Sequence, residues 1–68
     1  MRLGKYMTAE KIGTTPHETW VVKSRTGDAI GYVEFYPPWR CYVFMPDDRA
    51  VLSAECLDEI ARLCRDPR

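Results

Sequence analysis

The sequence predicts an α+β domain: a three- or four-stranded antiparallel β-sheet with one C-terminal α-helix packed on one face. Three observations lead there. Two runs rich in β-branched and aromatic residues, Ala29–Tyr36 and Trp39–Met45, flank Pro37-Pro38. That composition suits a pleated, half-buried surface, and a double proline marks a sharp reversal. A third such run, Thr19–Ser24, precedes them behind Arg25-Thr26-Gly27-Asp28, where Gly27 can take the positive φ of a hairpin turn. Near the end of the chain Cys56, Leu57, Ile60, Leu63 and Cys64 recur at helical spacing and form one apolar stripe.

Counting through the two reversals assigns side chains to faces. If Thr26-Gly27 is a two-residue loop, Arg25 faces Asp28, Val22 faces Gly31 and Trp20 faces Val33. If Pro37-Pro38 is the tip of the next hairpin, Tyr36 faces Trp39, Phe35 faces Arg40 and Val33 faces Tyr42. Prolines lack the N–H a ladder needs, so they belong at such a tip. One face then collects Trp20, Val22, Gly31, Val33, Phe35, Tyr42 and Phe44, with Arg40 at the rim. The other collects Val21, Lys23, Arg25, Ile30, Tyr32, Glu34, Tyr36, Trp39, Cys41, Val43 and Met45. The first is nearly all apolar and should receive Leu57, Ile60 and Leu63, with Gly31 leaving space for Trp20 or for the helix backbone. A one-residue slip would scramble the sorting.

The remaining segments follow from local chemistry. Ser53 stands where a helix N-cap belongs, Glu55 favours the positive end of the helix dipole, and Pro67 stops the helix. Asp58 and Arg62 are spaced to pair across one turn. Ala50-Val51-Leu52 suits a short fourth strand after the turn Pro46–Arg49. The chain reads as one domain, 1–68, with 1–15 an edge strand or arm, 19–52 the sheet and 53–66 the helix.

Composition narrows the function classes. A hydrophobic content of 46% argues against disorder. Ten Lys/Arg balance ten Asp/Glu, whereas strongly electrostatic nucleic-acid binders usually carry a basic excess. Three cysteines, Cys41, Cys56 and Cys64, show no Cys-x-x-Cys spacing and suggest neither a disulfide framework nor a zinc site. Reduced thiols and the lack of a long apolar N-terminal run lead us to expect a cytoplasmic protein without a signal peptide or membrane span.

The central pattern Ile30-Gly31-Tyr32-Val33-Glu34-Phe35-Tyr36, then Pro38-Trp39-Arg40-x-Tyr42-x-Phe44-x-Pro46, then Ser53-x-x-Cys56-Leu57-x-x-Ile60-Ala61 resembles short uncharacterised proteins of bacteriophages and prophages. The likeness runs from Trp20 to Leu63, and its Pro-Trp-Arg-x-Tyr-x-Phe core is the distinctive part. It implies a small accessory protein without an enzymatic role, of a kind that could inhibit a host defence or metabolic protein. It supplies no catalytic residues.

The residues themselves point away from catalysis. His17 is the single histidine; it lacks an evident nucleophile, and a strand would send Glu18 to the opposite face, so it reads as a solvated loop histidine. Cys41 would need nearby cations or a helix N-terminus to become a thiolate. Lys23 shares its face but two strands away, and no other triad element is visible, so Cys41 reads as a passive thiol. Asp47-Asp48 falls short of any calcium loop and reads as a turn. No Gly-rich phosphate loop is present, and no cofactor, metal or small-molecule substrate is expected.

The aromatic cluster is the stronger signal. Tyr32, Tyr36 and Trp39, with Lys23 and Arg25, make up the expected partner-binding surface. Trp, Tyr and Arg are the types that most often carry interface energy, which suits a protein partner or a second copy of the chain. The alternative is single-stranded nucleic acid, with bases stacked on the rings and phosphates on Lys23 and Arg25. A third reading has the N-terminal arm covering this face, or the rings packing on one another.

Overall fold

The computed structural model describes residues 1–67. Its elements are β1 (Arg2–Leu3), β2 (Met7–Gly13), β3 (Thr19–Ser24), β4 (Ala29–Tyr36), β5 (Cys41–Pro46) and α1 (Ala54–Arg65). The strands form one antiparallel sheet in chain order, and α1 packs on one face of it, so the class is α+β. The sheet has five strands rather than three or four. Both additional strands come from residues 1–15. β2 reads Met-Thr-Ala-Glu-Lys-Ile-Gly, and Ala, Glu and Lys are poor strand formers. Pairing with β3 holds it in place, and its burial alternates, with Met7 and Ala9 inward and Thr8 and Glu10 outward. Ala50-Val51-Leu52 is not a strand. The Ala50 N–H bonds back to the Asp47 carbonyl at 3.0 Å, Leu52 packs on the core, and Val51 is 93% exposed.

Trp20 pairs with Val33 and Val22 with Gly31, as parity predicts. Closer to the turn the register shifts by one, because Lys23 pairs with Ala29 and Ile30 is left over. The loop is Arg25-Thr26-Gly27: the Ser24 N–H bonds the Asp28 carbonyl at 2.8 Å, and the Gly27 N–H bonds the Ser24 carbonyl at 3.0 Å. Gly27 has φ 95, the left-handed residue that a three-residue hairpin requires. Arg25 therefore lies in the loop and not across from Asp28. The bulge also turns Ile30 onto the core, away from the second face where simple alternation put it.

The β4–β5 loop is longer than a two-residue tip. Tyr36 pairs with Cys41, Phe35 with Tyr42 and Val33 with Phe44, so Pro37–Arg40 forms the connection. The Trp39 N–H bonds the Tyr36 carbonyl and the Arg40 N–H bonds the Pro37 carbonyl, both at 3.1 Å. Arg40 then reverses direction with φ 53. The register differs from the expected one by two residues. A strand has a period of two, so every β5 side chain keeps its face.

The core comprises Leu3, Met7, Ala9, Trp20, Val22, Val33, Ile60 and Leu63, with Ile30, Tyr42, Phe44, Leu52, Cys56 and Cys64 partly buried against it. The space over Gly31 belongs to neither Trp20 nor the helix. A Cβ there would lie 2.6 Å from the Phe44 ring and 2.6 Å from the Met45 carbonyl oxygen, so the ring of the neighbouring strand is seated on the glycine. In α1, Ser53 accepts the Cys56 N–H at 3.2 Å. Arg62 pairs with Glu59 at 3.4 Å and not with Asp58. Leu57 is 50% exposed: the buried line runs through Ile60 and Leu63, and Leu57 lies beyond its edge. None of the described helices is long and apolar enough to cross a membrane.

Candidate functional site

Opposite α1 the sheet presents Lys23, Tyr32, Glu34, Tyr36, Cys41, Val43 and Met45 by alternation along β3, β4 and β5, with Val21 on the same face but buried. Residues 2–13 do not fold over this face; they extend the sheet in its own plane as β1 and β2. Tyr32 is 44% and its cross-strand neighbour Met45 40% exposed. The two flank a shallow pocket of about 340 Å³ with Ala29, Gly31, Pro46 and Asp47. At the end of β4, Tyr36 meets Trp39 edge-on, with centroids 5.0 Å apart and planes at 82°. Trp39 stays 71% exposed. Edge-to-face contact fixes one ring against another while leaving the outer ring free.

The five expected binding residues do not form one cluster. Tyr32, Tyr36 and Trp39 run along β4 and its loop. Lys23 is half-buried, with its Nζ 3.5 Å from Glu10 Oε2. Arg25 lies in the β3–β4 loop beside Arg2, Lys5 and Tyr6. The length of β4 separates it from Trp39, roughly 25 Å at about 3.3 Å per residue.

A second aromatic corner forms on the α1 side of the sheet. His17 stacks on Phe35, with centroids 4.0 Å apart and planes at 30°. Tyr42 stands edge-on to Phe35 at 5.6 Å. The Tyr42 hydroxyl donates to Glu18 Oε2 at 2.8 Å, and Lys11 Nζ lies 5.3 Å from the Trp20 ring centroid. Phe35 is thus only half-buried, at the edge of the apolar face. The adjacency of His17 and Glu18 hid this corner, because alternation separates neighbours only within a strand. His17 precedes β3 and is free to turn back. Counting in twos from Trp20 would have put Glu18 on the face of Tyr42.

The Tyr42 hydroxyl bond is the main reason the Glu18 carboxyl is lowered from its ordinary 4.5, helped by its own backbone N–H and by Lys11 and His17, against desolvation. Desolvation is the main reason Tyr42 is raised, and its bond to Glu18 adds to this. A hydroxyl held protonated is a poor nucleophile. Burial raises the Cys64 thiol, and the nearby Cys41 adds to this, which keeps Cys64 unreactive.

The lowered Glu18 stabilises the fold above its ordinary range, and that contribution is lost as pH falls through the lowered pKa. The raised Tyr42 contributes below pH 10 and is lost as pH rises through its own. Tyr42→Phe is therefore expected to move the Glu18 pKa up toward 4.5 in a carboxyl-carbon NMR titration. An unmoved Glu18 would mean that the hydroxyl bond is not its main partner.

Among the described residues no three His, Cys, Asp or Glu side chains gather as metal ligands. Compared with protein-family models, with curated proteins and with solved structures, the chain matches none.

Proposed function

We propose that this protein is a small non-enzymatic binding module that recognises another protein through the sheet face opposite α1. One observation carries the reading. Trp39, 71% exposed and braced edge-on by Tyr36, continues a line of exposed apolar side chains through Tyr32 and Met45. Rings held in place yet facing solvent lose little entropy on binding and supply large contact area. An exposed apolar patch with the Lys23–Glu10 pair beside it and a single carboxylate, Glu34, between Tyr32 and Tyr36 fits a protein contact surface.

Single-stranded nucleic acid is the weaker reading. Lys23 is committed to Glu10, Glu34 shares the face, and Arg25 is remote, so phosphates beside the rings would find little positive charge. As a cytoplasmic accessory protein of phage type, the module would act by occupying a surface of a host defence or metabolic protein.

The test compares wild type with Trp39→Ala in quantitative capture of a bound protein from bacterial lysate. The variant should melt like wild type and retain at least about tenfold less partner, the loss typical of a hot-spot aromatic. Equal capture by the two would reject this surface. Salt-sensitive quenching of Trp39 fluorescence by oligonucleotides would favour the nucleic-acid reading.

A further inference from the structure

The free edge of β5 is built to pair with itself. We propose that β5 (Cys41–Pro46) joins β5 of a second copy in antiparallel register, making one ten-stranded sheet. This inference goes beyond the reading of the open face, since it uses backbone groups at the sheet edge.

The Asp47 N–H donates to the Ile30 carbonyl at 2.8 Å. Backbone groups alternate sides along a strand, so Cys41, Val43 and Met45 also direct theirs toward β4, and Tyr42 and Phe44 direct theirs outward. Among the described residues those outward N–H and C=O groups have no hydrogen-bond partner. Exposed edges of this kind are normally blunted by charge or by short strands. The opposite side of the sheet follows that rule: β1 has two residues, and the part of β2 it leaves unpaired carries Glu10 and Lys11. β5 has six residues, Cys-Tyr-Val-Phe-Met-Pro, and no charge, in a chain that is 29% charged; its one protective residue, Pro46, stands at the last position and leaves the outward groups of Tyr42 and Phe44 open.

The flanks select a second copy and its direction. Arg40 precedes the strand and Asp47-Asp48 follows it; all three are exposed, and none has an ion pair among the described residues. Arg49 follows them and leaves that end with a net charge of one negative. Antiparallel self-pairing brings Arg40 beside Asp47 of the second copy, and symmetry repeats the contact. Parallel pairing would put Arg40 beside Arg40. The register that uses both N–H and both C=O groups of Tyr42 and Phe44 places Val43 against Val43 on the two-fold axis and Cys41 against Met45. Both helices then lie on one side and both open faces on the other.

Sedimentation velocity from about 1 to about 500 μM covers the affinities expected of a small interface. Wild type should rise from 7.9 kDa toward twice that mass. Val43→Lys puts two like charges on the axis, while in each chain the lysine gains its cross-strand neighbour Glu34. It should fold and weaken the dimer at least about tenfold. In a Cys41→Ser background, Val43→Cys should cross-link to a covalent dimer on mild oxidation, because opposed residues of a non-hydrogen-bonded pair suit a disulfide. Tyr32→Ala alters the open face but not the edge and should dimerise like wild type. The proposal is overturned by a wild type that stays at 7.9 kDa throughout, by a dimer indifferent to Val43→Lys, by failure of Val43→Cys to cross-link, or by a dimer lost in Tyr32→Ala.

Discussion

Trp20→Ala is expected to leave the protein unfolded or barely folded at room temperature. Trp20 is 3% exposed, in the middle strand of the sheet, and belongs to the core with Val22, Val33, Ile60 and Leu63. Removing a buried tryptophan side chain costs about 3–5 kcal/mol. A chain of this length has a total stability of roughly 3–10 kcal/mol, so one substitution removes much or all of it. Trp20→Phe should behave differently. The indole Nε1 is buried without a hydrogen-bond partner, a penalty of about 1–3 kcal/mol that phenylalanine does not carry. Relief of that penalty offsets the lost volume, and Trp20→Phe should stay within about 1 kcal/mol of wild type. Urea unfolding followed by circular dichroism separates the two. A Trp20→Ala protein as stable as wild type would overturn the assignment of this ring to the core.

Gly31→Ala is the second large effect, expected at about 1–3 kcal/mol for an overpacked site. Its new methyl would meet the Phe44 ring and the Met45 carbonyl oxygen, each at 2.6 Å. The ring can move and the carbonyl cannot, since Met45 pairs with Tyr32 within the ladder. Phe44→Ala alone should cost about 2–3 kcal/mol, below the usual range for a phenylalanine, because its ring is only half-buried. The double variant should be less damaging than the sum of the two by at least about 0.5 kcal/mol. Strict additivity would show that the ring does not obstruct the alanine.

Much of the candidate surface was legible from parity. Tyr32, Tyr36, Val43 and Met45 lie on the face opposite α1 because each reversal preserved odd and even positions along the strand interior. The β4–β5 loop has two residues more than a tight turn, an even error that moves partners along the strand without exchanging faces. The bulge at Ile30 is an odd error, so Ile30 changed sides. Lys23 and Arg25 illustrate a different limit. Sharing a face in sequence does not decide which carboxylate a lysine finds, or how far a loop residue lies from the far end of the next strand.

By itself the sequence determined the helix from Ser53 onward, the three central strands and the face each of their aromatic residues takes, since all of these follow from local periodicity and from residues with few backbone options. Tertiary structure alone decided the two N-terminal strands, the seating of Phe44 on Gly31 and the His17–Phe35–Tyr42–Glu18 corner. These depend on neighbours distant in the chain: a weakly patterned segment becomes a strand when β3 offers it a ladder, and a loop histidine finds a ring that only the assembled sheet brings within reach.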